Sequence, residues 1–149
     1  MIIKVDKQNI NKASKVHAIS WQESYGKFCS EDFILLHTPK RQQEYIQKKI
    51  DKGYEFYLLM KEIPVGVISI SPESVIEDLY ILPEHQKKGY GSQLLTFAIS
   101  KCKACPKLWI LENNQNAKRL YKKMGFCETG NVNCSGKLSE IEMEWRKRL

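Results

Sequence analysis

The chain has 149 residues, 42% hydrophobic and 28% charged, which is ordinary for a globular protein and enough to bury one core without disulfides. No apolar run nears the roughly 20 residues that cross a bilayer, and MIIKVDKQNI lacks a signal peptide's apolar segment, so the expectation is one cytoplasmic domain over residues 1–149 with no membrane partner. A formal charge of +7 favours anionic partners, whether nucleic acid, a membrane surface or a phosphorylated cofactor, without choosing among them.

IIKV (2–5) reads as a short strand, and residues 9–25 carry apolar side chains at helical spacing through Ile10, Ala13, Val16, Ile19 and Trp21. Gly26 ends that helix, and Ser30 is a fitting N-cap for a second one. Thr38-Pro39 starts a further helix, because proline's fixed φ and missing N–H suit the first helical position. Its apolar face is Tyr45, Ile46 and Ile50, and Gly53 stops it. EFYLLMK and VGVISIS then form a hairpin across EIP, and SVIEDLYIL is a third strand ended by Pro83. Helical periodicity returns over 90–103, followed by a strand at KLWILE (107–112). A helix capped by Asn113 or Asn114 runs to Gly125, and two strands cover 126–134 and 138–146. No helix joins the three middle strands, so they are expected to be antiparallel within a mixed α/β sheet.

Five cysteines, an odd number, point to reduced thiols in or near the core. Cys102 and Cys105 form a CxxC, the pattern of half a zinc site or of a redox pair, but no second ligand pair accompanies it, so no metal is expected and a redox role is left open. His17 and His37 read as structural.

The chemistry concentrates at PEHQKKGYGS (83–92), where a strand turns into a helix. A helix's first turn exposes unpaired N–H groups and the positive end of its dipole. Gly89 and Gly91 let the backbone approach a ligand, Lys87 and Lys88 add charge, and Ser92 offers a hydroxyl. A dinucleotide fingerprint would need a small residue where Leu94 stands, and a Walker A loop is absent. What fits is QxxGxG, from Gln86 to Gly91. Together with the preceding LYILPE and the later N-x-x-A-x-x-x-Y-x-x-x-G-F (Asn114, Ala117, Tyr121, Gly125, Phe126), it resembles the GNAT acyltransferase superfamily. The three segments occur in the family's order, and the likeness covers residues 54–130 most strongly.

The resemblance implies the GNAT acyl-CoA N-acyltransferase fold, a mixed and mostly antiparallel central sheet with helices on both faces. It implies acetyl-CoA as cosubstrate, lying where the fourth and fifth strands splay. Backbone groups of Leu79, Tyr80 and Ile81 would pair with the pantetheine arm. Gln86, Lys87, Lys88, Gly89, Tyr90, Gly91 and Ser92 would hold the pyrophosphate, and Asn114 would cap its helix, contact the cofactor, or both. Acetyl transfer to an amine would use Tyr121 as acid toward the leaving thiolate and the N–H of Ile81 as oxyanion donor. Glu77, four residues before Ile81 and so on the same face of an ideal strand, is the candidate base, with Glu73 and Asp78 as competitors.

The acceptor amine would meet the N-terminal helices and the 30–38 loop, where Trp21, Glu23 and Tyr25 suit a cation. Its identity is open, as is dimerisation. Two other readings are a non-catalytic acyl-CoA sensor on the same fold and a nucleic-acid-binding protein. The second lacks the aromatic–basic interleaving of a single-strand surface.

Overall fold

Strands β2 (Glu55–Met60) and β3 (Pro64–Ile70) are near-continuous apolar runs because both of their faces are covered. In the computed structural model, which describes residues 1–25, 38–136 and 138–146, they form the expected antiparallel hairpin. β1 (Ile2–Lys4) joins the outer edge of β2, and β4 (Ile76–Ile81) pairs antiparallel with β3, giving the order β1-β2-β3-β4. Phe56, Leu58 and Val67 face one cluster with Val16 and Ile46, under helices α1 (Ile10–Tyr25) and α2 (Pro39–Asp51). Tyr57, Leu59 and Ile68 face the other, with Leu94, Leu95 and Ala98 of α3 (Tyr90–Lys101). Among the described residues no helix is long and apolar enough to cross a membrane.

The start of α2 is set as its sequence implies: the Thr38 hydroxyl accepts from the N–H of Arg41 at 3.2 Å, and Pro39 occupies the first turn. The expected stop at Gly26, helix start at Ser30, and the residues Cys29 and His37 lie outside the described residues. After α3 the chain forms β5 (Lys107–Leu111), α4 (Gln115–Lys123), β6 (Phe126–Ser135) and β7 (Leu138–Trp145). These strands make a second antiparallel sheet, ordered β5-β7-β6. The Asn114 side chain caps α4 by accepting from Ala117 N–H at 3.1 Å, and Gly125 takes the left-handed conformation (φ 105°) just past its end.

Among the described residues the backbones of the two sheets pair only at their base. Val75 and Lys107 form one isolated parallel bridge, and the Lys107 N–H reaches Ser74 O at 3.1 Å. Ser74, with φ 65°, also accepts from the N–H groups of Lys103 and Ala104 through its hydroxyl. Beyond this pin β4 and β5 belong to different sheets, so one edge of β4 has no strand partner. The mixed, mostly antiparallel architecture is as expected, and so is the opening between β4 and β5.

The expected placement of the cysteines holds for Cys102, which packs against the α3-side core, and needs correction for three others. Cys105, Cys127 and Cys134 are exposed free thiols, and Cys102 is half-buried. Cys105 lies in the loop before β5, while Cys127 and Cys134 lie on β6, which has only β7 beside it.

Candidate active site

The β4–α3 junction makes a single 3₁₀ turn over Pro83–His85 and then bends through two left-handed residues, Lys87 (φ 63°) and Gly89 (φ 83°). Gly89 is the N-cap of α3 and supplies no side-chain cap, so the first-turn N–H groups remain available to a ligand. Nothing lies within 4 Å of where a Cβ on Gly89 would stand, so its conformation and not crowding calls for glycine there. The Gln86 side chain turns back, its Nε2 donating to Ile81 O at 3.1 Å.

A cleft of about 280 Å³ opens beside this turn. Ile81, Gln86, Lys87, Tyr90, Gly91 and Ser92 line it from one side, and Leu120 of α4 from the other. The lysine pair is thereby split: Lys87 faces the cleft, and Lys88 is exposed without lining it. A larger groove of about 560 Å³ lies on the opposite face, between α1, α2 and the β2–β3 turn. Its wall includes Lys15, Ile19 and Leu82 but no glycine turn or uncapped helix start, so size alone does not make it the anion site.

The free edge of β4 points into the opening between the sheets. Leu82 N–H pairs with Val65 O on β3, so strand alternation turns the N–H and C=O of Ile81 and of Leu79 the other way. The side chains of Leu79 and Ile81 pack toward the α3 core. Tyr80 instead faces α1, its ring centroid 4.7 Å from that of His17.

Glu77 and Ile81 do not share a face. Between the Val67–Tyr80 and Ser69–Glu77 pairs, β4 has one residue more than β3, a bulge at the left-handed Asp78 (φ 49°). One extra residue inverts side-chain parity, so Glu77 faces α2, where its Oε1 is 3.7 Å from Lys49 Nζ. Asp78 lies on that same side, not opposite Glu77. Its Oδ1 accepts from His17 Nε2 and Tyr45 Oη, each at 3.0 Å. Its Oδ2 accepts from Lys49 Nζ at 3.0 Å and Ser69 Oγ at 2.7 Å. Burial opposes the Asp78 charge, but the His17 bond, the Lys49 ammonium and the Ser69 hydroxyl outweigh it and hold the carboxyl well below the usual carboxylate range. The Tyr45 phenol is pushed up by burial and by that carboxylate. Tyr54 is raised by burial and by its hydrogen bond to Glu77. Glu73 is exposed in the β3–β4 turn.

His17, Tyr45, Lys49 and Ser69 were not singled out as one constellation from the sequence. The available signal was two successive acids inside an otherwise apolar strand, which breaks the alternation.

Tyr121 packs into the α3-side core, with its ring 5.8 Å from that of Phe126, one residue beyond Leu120. Burial pushes its phenol up to about 12, so it keeps its proton at neutral pH. Asn114 is exposed at the cap of α4 and does not line the cleft. Of the acceptor-side candidates, Trp21 is half-buried, Glu23 is exposed, and the Tyr25 side chain and the 30–37 segment lie outside the described residues. Among the described residues no group of three or more His, Cys, Asp or Glu side chains is placed to hold a metal ion.

The fold of the chain recurs in known proteins. The fold matches the PaiA N-acetyltransferase of Thermoplasma acidophilum, solved with coenzyme A (TM-score 0.70, 20% identity, 97% of this chain and 98% of that one). It also matches yncA, a putative acetyltransferase of Salmonella typhimurium solved with acetyl-CoA (TM-score 0.68, 19% identity, 98% and 92%). A third match is the spermidine N-acetyltransferase SpeG of Vibrio cholerae (TM-score 0.69, 16% identity, 97% and 94%). At these identities the likeness is one of fold. The profile of the acetyltransferase (GNAT) domain matches residues 11–147, nearly the whole chain, and on that ground the chain belongs to the GNAT acetyltransferase family.

Proposed function

We propose that the protein transfers an acetyl group from acetyl-CoA to a primary amine of a small molecule or protein, by direct attack in a ternary complex. The observation that carries this reading is the cleft at the start of α3, where an uncapped helix N-terminus, the left-handed Gly89 and Lys87 adjoin the free edge of β4. Family membership and the CoA-bound structural neighbours support the choice of cosubstrate.

In this reading the N–H groups of Tyr90, Gly91 and Ser92 receive the pyrophosphate, Gln86 braces the loop against Ile81, and Lys87 and Lys88 contribute charge. Backbone groups of Leu79 and Ile81 align the pantetheine arm as an added strand would be aligned, while the alternation turns those of Tyr80, expected from the sequence to join them, toward Val67 of β3. Asn114 fixes the start of α4, which carries Leu120 on the cleft wall and Tyr121 next to it in sequence.

An ordinary alkylammonium has a pKa near 10.4, so about one amine in a thousand is neutral at pH 7 and a proton acceptor is needed. Glu77 takes that role on the α1/α2 face of β4, while Ile81 N–H donates to the oxyanion from the edge. The amine nitrogen bonds to the acetyl carbon, the C–S bond breaks, and the thiolate takes a proton from Tyr121. The proton gained by Glu77 and the one lost by Tyr121 are exchanged with solvent. Burial raises the phenol still further above an ordinary thiol, so complete proton transfer to sulfur is uphill. Tyr121 therefore acts first as a hydrogen-bond donor to sulfur and completes the transfer late.

Isothermal titration with acetyl-CoA, followed by thiol release against an amine library, tests the proposal. Binding together with release by at least one amine is expected. No binding at ~1 mM removes the cosubstrate assignment. Binding without release by any amine would favour a non-catalytic sensor.

A further inference from the structure

Asp78 is held more firmly than a strand residue requires. Its side chain is 7% exposed, and its backbone is left-handed, a conformation that few non-glycine residues adopt. Three other elements converge on its carboxylate: α1 through His17, α2 through Tyr45 and Lys49, and β3 through Ser69. Both oxygens carry two donors each, the full satisfaction that a buried carboxylate needs. Burying such a charge is a poor way to gain stability, since apolar groups of similar volume commonly do as well or better.

What the clamp does fix is direction. The bulge it holds turns Glu77 toward α2 while sending the side chains of Leu79 and Ile81 into the α3 core and their backbone groups to the open edge. Without the inserted residue, one of these two sets would face the wrong side. The His17 ring also lies tilted against that of Tyr80, the residue between Leu79 and Ile81, so α1 supports the strand at the bulge and just beyond it.

We propose that Asp78 is a positioning residue for acetyl transfer: by tying the β4 bulge to α1, α2 and β3, it aims the Leu79 and Ile81 backbone at the donor and keeps Glu77 on the acceptor side. This rests on the reading above that the β4 edge receives the pantetheine arm. The clamp also couples the two halves of the site, since a shift of α1 or α2 pulls on the strand that aligns the thioester.

The test compares Asp78→Asn, which tolerates the left-handed conformation but loses the charge, with Asp78→Gly, which adopts it freely and loses the clamp. Ile46→Val is a control on the same helical layer. Melting curves establish folding, titration gives the acetyl-CoA Kd, and thiol release with a responsive amine gives kcat and KM. Both Asp78 variants should weaken acetyl-CoA binding at least tenfold and lower kcat, with Asp78→Gly the worse of the two. Ile46→Val should lower Tm and leave Kd unchanged. If the Asp78 variants lose only Tm and keep wild-type Kd and kcat, the clamp serves stability alone and the inference is overturned. An Asp78→Gly protein equal to wild type overturns it as well. Should both variants fail to fold, Ser69→Ala removes one donor and should still weaken acetyl-CoA binding severalfold, and an unchanged Kd counts against the clamp. If wild type binds no acetyl-CoA, the functional reading falls, and amide shifts in the ¹⁵N spectrum of Asp78→Asn decide the positioning claim separately. Shifts at Leu79 and Ile81 support it, and shifts confined to residue 78 and its side-chain partners refute it.

Discussion

Replacing Gly91 by alanine separates the stability of the loop from its ligand chemistry. Gly91 lies in the first turn of α3 with an ordinary helical backbone, unlike Gly89. An added Cβ would come no closer than 3.9 Å to its nearest neighbour, Leu120 Cδ2, which is ordinary van der Waals contact. Alanine is preferred to glycine inside helices by up to ~1 kcal/mol, so the free protein should be unchanged or slightly more stable. At roughly 2–4 °C per kcal/mol for a domain of this size, Tm should hold or rise by a few degrees. The same methyl projects toward Leu120 across the cleft that both residues line. A pyrophosphate pushed off the first-turn N–H groups loses charge-assisted hydrogen bonds worth about 1.5–3 kcal/mol each, so acetyl-CoA should bind at least ~10-fold more weakly. Thermal melts of the free protein and isothermal titration read the two quantities independently. A Kd within about twofold of wild type would show that phosphate does not approach Gly91 and would refute the placement. Gly89→Ala is the contrast: the left-handed φ should cost ~1–2 kcal/mol of stability with no steric neighbour involved.

Tyr121→Phe should lower kcat by about 100-fold while acetyl-CoA Kd stays within a factor of a few, since only the phenolic proton is removed; equal kcat in steady-state assays removes Tyr121 as the acid. Gly66→Ala should destabilise by ~1–3 kcal/mol in urea unfolding, because its Cβ would lie 2.6 Å from Ile81 Cδ1 and 2.9 Å from Leu94 Cδ1. The displaced Ile81 should weaken acetyl-CoA binding in the same variant. Asp78 has a depressed folded-state pKa, so its ionisation contributes stability that is fully present above the unfolded value near 3.9 and is lost as pH falls below it. Asp78→Asn should therefore be less stable than wild type by about 3 kcal/mol at pH 7, with the gap narrowing below pH ~4 in urea titrations. A gap independent of pH would mean that the charge of Asp78 is not what its partners stabilise.

Local signals were legible wherever one or two residues determine the backbone. Thr38-Pro39 and Asn114 cap their helices through their own side chains, and Gly125 ends α4 with the positive φ that glycine permits. The hairpin was legible because its turn is short and its strands are apolar on both faces. The cysteines misled because a residue type's average burial says nothing about a particular position such as Cys134 on β6. The base geometry misled for a different reason. Counting four residues from Glu77 to Ile81 presumes an unbroken period of two, and a single left-handed residue between them reverses the result. No periodicity records that event, because it depends on donors from residues 17, 45, 49 and 69, distant in sequence and brought together only by the fold.

The reversal changes how the chemistry is arranged. With Glu77 and Ile81 on one face, proton acceptor and oxyanion donor would crowd the same side of the strand. With the bulge between them, the proposed mechanism puts the donor at the free edge and the α3 cleft and the acceptor at the α2 face, where Glu77, Lys49 and Tyr54 lie. In that proposal the amine comes from the side of the helices to the thioester at the β4 edge, and the leaving sulfur departs toward α4. The proposed separation of entry and exit then depends on the conformation of one aspartate, the left-handed Asp78 at the bulge.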